Sequence, residues 1–271
     1  MQVYSASLPN YLATVVRYRD LIGQLVRREF STRYRGSVLG IFWAVLNPVI
    51  TVLVFSFLFG VVFRARWGTE PTAPNFVIIV LVGMIIHGML AESLGQAPNL
   101  VLGRLSYVKK VVFPLEVLPI VTVVTALINA AVGMTVVLAA NGVLQGSIVP
   151  TVLLLPVVLV PFILLITGIV LFVGAFGVYV RDLTQIVNFL NMITLFLAPV
   201  FYPISVVPEQ YRVLLFLNPL TFILEQARDV MLFGRLPDWS GLAIYTVIAF
   251  GFAWLGLWWF QRARKGFADV M

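Results

Sequence analysis

Residues 148–180 read IVPTVLLLPVVLVPFILLITGIVLFVGAFGVYV, thirty-three consecutive positions without one charged side chain. A bilayer hydrocarbon core about 30 Å thick is crossed by roughly 20 apolar residues rising about 1.5 Å each, so this run is more than long enough to span it. Pro150, Pro156 and Pro161 punctuate its first half. A return loop inside lipid would need polar turn residues to satisfy its backbone, and there are none. The prolines therefore predict one bent span with an interfacial start, not two spans.

Outward from that run the same reading gives five more spans, at about 37–63, 76–94, 115–140, 183–206 and 241–260. The predicted fold is an all-α integral membrane protein. It has six transmembrane helices, an N-terminal amphipathic interface helix and a re-entrant helical pair before the last span. Residues 1–36 form a cytoplasmic N-terminal segment and residues 37–271 the six-helix transmembrane domain. Composition agrees: 61% of the chain is hydrophobic, 11% is charged, and the mean hydropathy is +1.03.

The composition also excludes chemistry. There is no cysteine, hence no disulfide, thiolate nucleophile or iron–sulfur cluster, and one histidine, His87, cannot build a multi-histidine metal site. The only lysines are Lys109, Lys110 and Lys265, and none follows a glycine, so a phosphate loop ending in Gly-Lys-Ser/Thr is missing. Any ATP used must be hydrolysed by another subunit. The net charge of +7 comes from topology. Thirteen basic residues fall on one side of the predicted spans and five on the other, which places both termini in the cytoplasm. No aromatic-interleaved basic groove points to nucleic acid.

Three stretches are neither spans nor simple loops. From Asp20 to Arg35, Leu21, Ile22, Leu25, Val26 and Phe30 recur at helical spacing opposite Arg27, Arg28 and Arg35. This predicts a helix lying on the cytoplasmic interface, either a snorkelling anchor or a sliding element that meets an anionic head group. Glu29 and Arg33 lie within its apolar arc at a spacing that allows them to pair. From Pro98 to Pro114, Arg104, Lys109 and Lys110 mix with Leu100, Leu102, Leu105, Tyr107 and Val108, the pattern of a short helix docking into a partner's groove or lying against lipid. From Val207 to Pro237, apolar patches broken at Asn218-Pro219 are too short to cross, which predicts two helices dipping into the outer leaflet. Glu225, Arg228 and Asp229 share one face there, as an ion-pair cluster or a contact with cargo.

Glu92 lies about 24 Å along its span, near the cytoplasmic interface, where a local partner can satisfy it, and His87 needs only one hydrogen bond. No carboxylate pair, Ser/His/Asp arrangement or metal-spaced cluster accompanies them, so the chain reads as moving something, not transforming it. Among its many aromatics, Trp43, Phe55, Phe59, Phe196, Phe201 and Tyr202 are candidates to line a channel, since ring faces pack against the C–H faces of sugars. Trp254, Trp258 and Trp259 fit an interfacial belt.

The segment 33–48, RYRGSVLGIFWAVLNP, resembles the start of the first span in permease subunits of type-2 ABC exporters of polysaccharide. The order is basic-aromatic-basic, Leu-Gly, Trp, then Pro. Arg181-Asp182, Ala198-Pro199, Tyr202-Pro203, Pro208, Asn218-Pro219 and Arg228-Asp229 fit the same family, and O-antigen exporters most of all, with capsule and teichoic-acid exporters close by. The resemblance implies a homodimer of this chain in the bacterial inner membrane, with a channel at the dimer interface and two separate ATPase subunits that bind ATP and magnesium. The cargo it implies is a glycan on undecaprenyl diphosphate, with Arg27, Arg28, Arg33 and Arg35 as candidates to attract the diphosphate. Arg104, Tyr107, Lys109 and Lys110, with Arg181 and Asp182, become the contacts to the ATPase. A drug permease and a membrane-embedded glycan-modifying enzyme are the alternatives; the second would need acids clustered at one membrane face, and Glu116 and Asp182 are too sparse.

Overall fold

The computed structural model describes residues 7–67, 75–104, 113–146 and 148–267, and among them every regular element is helical. Tyr18 separates α1 (Leu8–Arg17) from α2 (Arg19–Tyr34). A 3-10 turn, Gly40–Phe42, leads into α3 (Trp43–Phe55), which widens into a π-helical turn at Ser56–Val62. The Asn75 side chain accepts from the Val77 N–H and so starts α4 (Phe76–Gln96), extended by the turn Ala97–Asn99. Next comes α5 (Val117–Gln145), closed by Gly146 at φ +74°. The opening run forms one rod: the 3-10 turn Pro150–Leu154 passes directly into α6 (Leu155–Phe176). The remaining helices are α7 (Leu183–Leu197), α8 (Glu209–Phe216), α9 (Pro219–Arg228) and α10 (Trp239–Ala263).

Among the described residues five rods are long and apolar enough to cross a membrane: Gly40–Val62, Phe76–Asn99, Val117–Leu144, Pro150–Phe176 and Trp239–Gly266. The predicted span at 183–206 is shorter than its hydropathy suggests. Pro199 disfavours helical backbone at the residue before it, and Ala198 is extended (φ −85°, ψ 147°), so α7 stops after 15 residues. Before the last rod the chain forms two short helices, α8 and α9, divided at Asn218-Pro219.

The rods are not equally enclosed. α4 is the central one, packed by α5, α6, α7 and α9, with Ile78, Ile79, Val80 and Val82 fully buried. Its neighbour α6 lies so close to α10 that a Cβ on Gly256 would sit 2.1 Å from the Gly168 carbonyl oxygen. Lipid tails are as apolar as leucine, so helices gain from associating in a membrane chiefly by such close approach and by hydrogen bonds between them. At one end of the bundle Ile22 and Val26 of α2 pack on Val117 and Val121 of α5, which seats this helix on the bundle. By contrast, none of the most apolar stretch of the first rod is buried.

Candidate functional site

Past the end of α7, the chain must satisfy the carbonyls of the non-helical backbone that follows. Arg228 does this. Asn218 caps α9 by accepting from the Leu220 N–H, with Pro219 in the first turn, and the helix delivers Arg228, 1% exposed, against α4. Its Nε donates to the Ile79 carbonyl at 3.2 Å, Nη1 to Pro199 at 2.7 Å and to Glu225 Oε1 at 3.0 Å, and Nη2 to Val200 at 2.9 Å. The Trp67 ring covers the guanidinium at 4.5 Å. Gly83 makes room, since a Cβ there would lie 2.8 Å from Nη2. A buried charge is tolerable when its donors are met, and here they are. Asp229 turns instead toward Arg235, at 3.6 Å, so the predicted three-residue cluster is two separate pairs.

At the end of the bundle where α2 lies, Arg33 of α2 donates to Glu92 Oε1 on α4, and Glu92 also accepts from the Asn129 amide of α5, at 2.8 Å and 3.0 Å. Burial works against the Arg33 charge, but the Glu92 hydrogen bond and charge outweigh it, with Tyr34 and Glu29 adding smaller terms, and hold its pKa above the ordinary value. The i, i+4 neighbour Glu29 thus acts only at a distance, while the close partner stands 59 positions away. Beside this triad a cleft of about 300 Å³ opens between α3, α4 and α5, lined by Asn47, Thr51, Glu92 and Asn129. Arg27, Arg28 and Arg35 are exposed on or just after α2.

Between the two ends, α7 hangs on α4 by a polar seam. His87 Nε2 lies 3.2 Å from the Asn191 carbonyl and 3.3 Å from Thr194 Oγ1. The Asn191 amide donates to Ala91, and the Asn218 amide donates to Thr194. The opposite face of α7 exposes Gln185, Asn188, Phe189, Met192 and Phe196. Exposed amides on an apolar helix are poorly served by lipid, which offers no hydrogen bonds. Asn47 is exposed on α3 in the same way.

The predicted channel aromatics divide. Phe196 is 62% exposed on the free face of α7. Trp43 and Tyr202 are half-buried, and the Tyr202 hydroxyl donates to the Phe196 carbonyl at 2.9 Å. Phe201, Phe55 and Phe59 lean on the core. Phe59 meets Phe76 at a tilt, and Phe76 meets Trp67 likewise, forming a chain of rings that ends over Arg228. Arg181 and Asp182 are exposed between α6 and α7. Arg104 ends a short turn, Leu102–Arg104, while Tyr107, Lys109 and Lys110 lie outside the described residues. Trp67, Asn129, Asn191 and Arg264 have no role in the sequence reading, and Glu116 and Asn218 enter it without the contacts they make here; for the asparagines, a polar residue inside an apolar run is the available signal.

Among the described residues no group of three His, Cys, Asp or Glu side chains could hold a metal ion. Long apolar rods with polar side chains placed between them define a multi-pass helical membrane protein. The chain belongs to the ABC-2 type transporter family, whose pattern it matches over residues 20–232. It is 32% identical over 257 residues to the O-antigen export system permease protein RfbA of Myxococcus xanthus, covering 93% of this chain and 96% of that protein. A Klebsiella pneumoniae RfbA is 22% identical over 255 residues, covering 93% and 95%. The polysialic acid transport protein KpsM of Escherichia coli is 24% identical over 229 residues, covering 83% and 87%.

Proposed function

We propose that this chain is the membrane permease of an ABC exporter that carries lipid-linked polysaccharide of the O-antigen type across the bacterial inner membrane. Two copies would face each other across the channel, and two separate ATPase subunits, binding ATP and magnesium, would supply the energy. The observation that carries this reading is the free face of α7, where Gln185 and Asn188 alternate with Phe189, Met192 and Phe196. Amides donate to and accept from sugar hydroxyls, and aromatic and thioether groups meet their C–H faces without strong directional bonds. A long glycan can slide along such a wall. The relatives' names support a polysaccharide cargo, and the likeness to KpsM keeps a capsule-type glycan as the second reading.

Six crossings, with α7 as the fifth and α8–α9 dipping into the outer leaflet, would leave both termini cytoplasmic. The segment from Pro98 to Lys110 and the residues Arg181 and Asp182 would then meet the ATPase. Arg27, Arg28 and Arg35 are exposed and would be the arginines to attract an anionic lipid head group, whereas Arg33 is engaged by Glu92. The deciding experiment purifies the chain with its ATPase and asks whether undecaprenyl-diphosphate-linked glycan from the producing strain stimulates ATP hydrolysis. Stimulation by that glycan is expected. No response to it, or a response to small amphiphiles alone, overturns the reading.

A further inference from the structure

The last described turn of the chain touches both cytoplasmic connections of the bundle. α10 ends at Ala263 and continues as a 3-10 turn, Arg264–Gly266, followed by Phe267. Arg264 Nη1 pairs with Glu116 Oε2, both side chains nearly enclosed, and Nη2 donates to the Phe113 carbonyl at 3.2 Å. Those acceptors stand where the first connection re-enters the bundle, immediately before α5. On its other side the same turn holds the second connection. The Tyr179 hydroxyl donates to the Ala263 carbonyl at 2.8 Å, and the Phe267 ring, 1% exposed, packs between Tyr179 and Phe260 with centroids 6.2 Å and 5.7 Å away. Gly266 is pressed against Tyr179, whose hydroxyl a Cβ there would meet at 2.7 Å.

Two further contacts close the assembly. The start of the first connection rests on the end of α6, where a Cβ on Gly177 would lie 2.2 Å from the Pro98 carbonyl oxygen. The Tyr11 hydroxyl of α1 donates to the Glu116 carbonyl at 3.2 Å, and α2 is seated on α5 through Ile22 and Val26. Burial, with the Glu116 charge adding to it, pushes the Tyr11 phenol far above its usual range, so this donor stays protonated.

A nearly buried ion pair is poor evidence of added stability, because desolvation cancels much of its Coulombic gain. What such a pair does supply is a fixed relative placement of the pieces it joins. We infer that the turn Ala263–Phe267 is a transmission element. Arg264, Glu116, Tyr179 and Phe267 are positioning residues that make the two cytoplasmic connections and the interface helices respond as one body when an ATPase pushes on either connection. This rests on the proposal that an ATPase drives the chain through those connections. Without the turn, a push on one connection would be absorbed by local bending.

The test uses the full chain with its ATPase in proteoliposomes, comparing the unaltered protein with Arg264→Ala, Arg264→Lys and the charge exchange Glu116→Arg with Arg264→Glu. Amide hydrogen exchange is followed at residues 113–118, which Arg264 touches, and at 177–183, which it does not. Arg264→Ala is expected to speed exchange in both segments, by about tenfold in the first, because cooperative units open together. ATP hydrolysis stimulated by undecaprenyl-diphosphate-linked glycan is expected to fall roughly five-fold, within the span of such couplings, with assembly retained. Arg264→Lys and the charge exchange are expected to recover at least part of both losses. Faster exchange confined to 113–118, or unaltered stimulation in an intact Arg264→Ala complex, overturns the inference. If Arg264→Ala fails to assemble, a charge exchange that assembles but leaves the two segments exchanging independently does the same. The exchange measurement needs no glycan, so failure of the cargo assignment is distinguishable from failure of the turn.

Discussion

The first rod, Gly40–Val62, and the second, Phe76–Asn99, are both strongly apolar, and hydropathy does not separate them. Yet 72% of the most apolar stretch of the second is buried inside the protein and 0% of the first. The difference lies in small and polar residues. α4 carries His87 and Glu92, each bonded to a neighbouring helix, and Gly83, which admits Arg228. α3 carries Asn47 and Pro48 beside an open cleft. Apolarity thus says that a helix enters the membrane, while its sparse polar and glycine positions decide whether it meets its own chain or something outside it.

Five changes test that contrast, and the deepest is expected to cost most. Arg228→Ala leaves Glu225 and three carbonyls without their donor, a loss on the order of 3–5 kcal/mol, visible as a lower melting temperature and folded yield in nanodiscs. A normal melting curve would remove Arg228 as an anchor. Gly256→Val drives a side chain into the α6 backbone and is expected to destabilise by about 1–3 kcal/mol or more. Gly60→Ala on the free rod, whose Cβ would meet nothing within 4 Å, is expected to change stability by less than about 0.5 kcal/mol. Equal effects at those two glycines would erase the contrast.

On the free face of α7 the expected effect is on transport. Asn188→Leu is expected to leave melting unchanged and to slow glycan export, measured as surface polysaccharide in a complemented deletion strain. Normal export would show that this face does not meet cargo. A modest effect is expected at Glu92→Gln, which keeps a hydrogen-bonding group for Arg33 and Asn129 but removes the charge, a loss of about 1 kcal/mol or less for so exposed a pair. Protease cleavage after Arg33 reads it directly, since a freed α2 is cut faster.

The bundle was legible because long apolar runs leave few other structures open to a chain in lipid. The 148–180 run became one rod, as its missing turn residues required. The 183–206 run misled because valine, phenylalanine and tyrosine past Leu197 are as apolar as what precedes them, while the Pro199 ring blocks the helix. Partners were the least legible part. Arg33 had an acceptor one turn away in sequence and bonds one 59 positions off; Arg228 reaches Ile79 across 149. Such choices are made by how helices pack, and no local spacing encodes them. Conversely, that Arg228 had to be met by something was readable from its surroundings.

Fifteen residues of α7 rise about 22 Å, some 8 Å less than the hydrocarbon thickness of an ordinary bilayer. Where lipid meets that helix it must pinch, or the helix ends must be drawn inward with their hydration. Under the proposed fifth crossing the membrane around α7 would therefore be thinner than its surroundings, and acyl-chain length would set how hard the bilayer resists that helix.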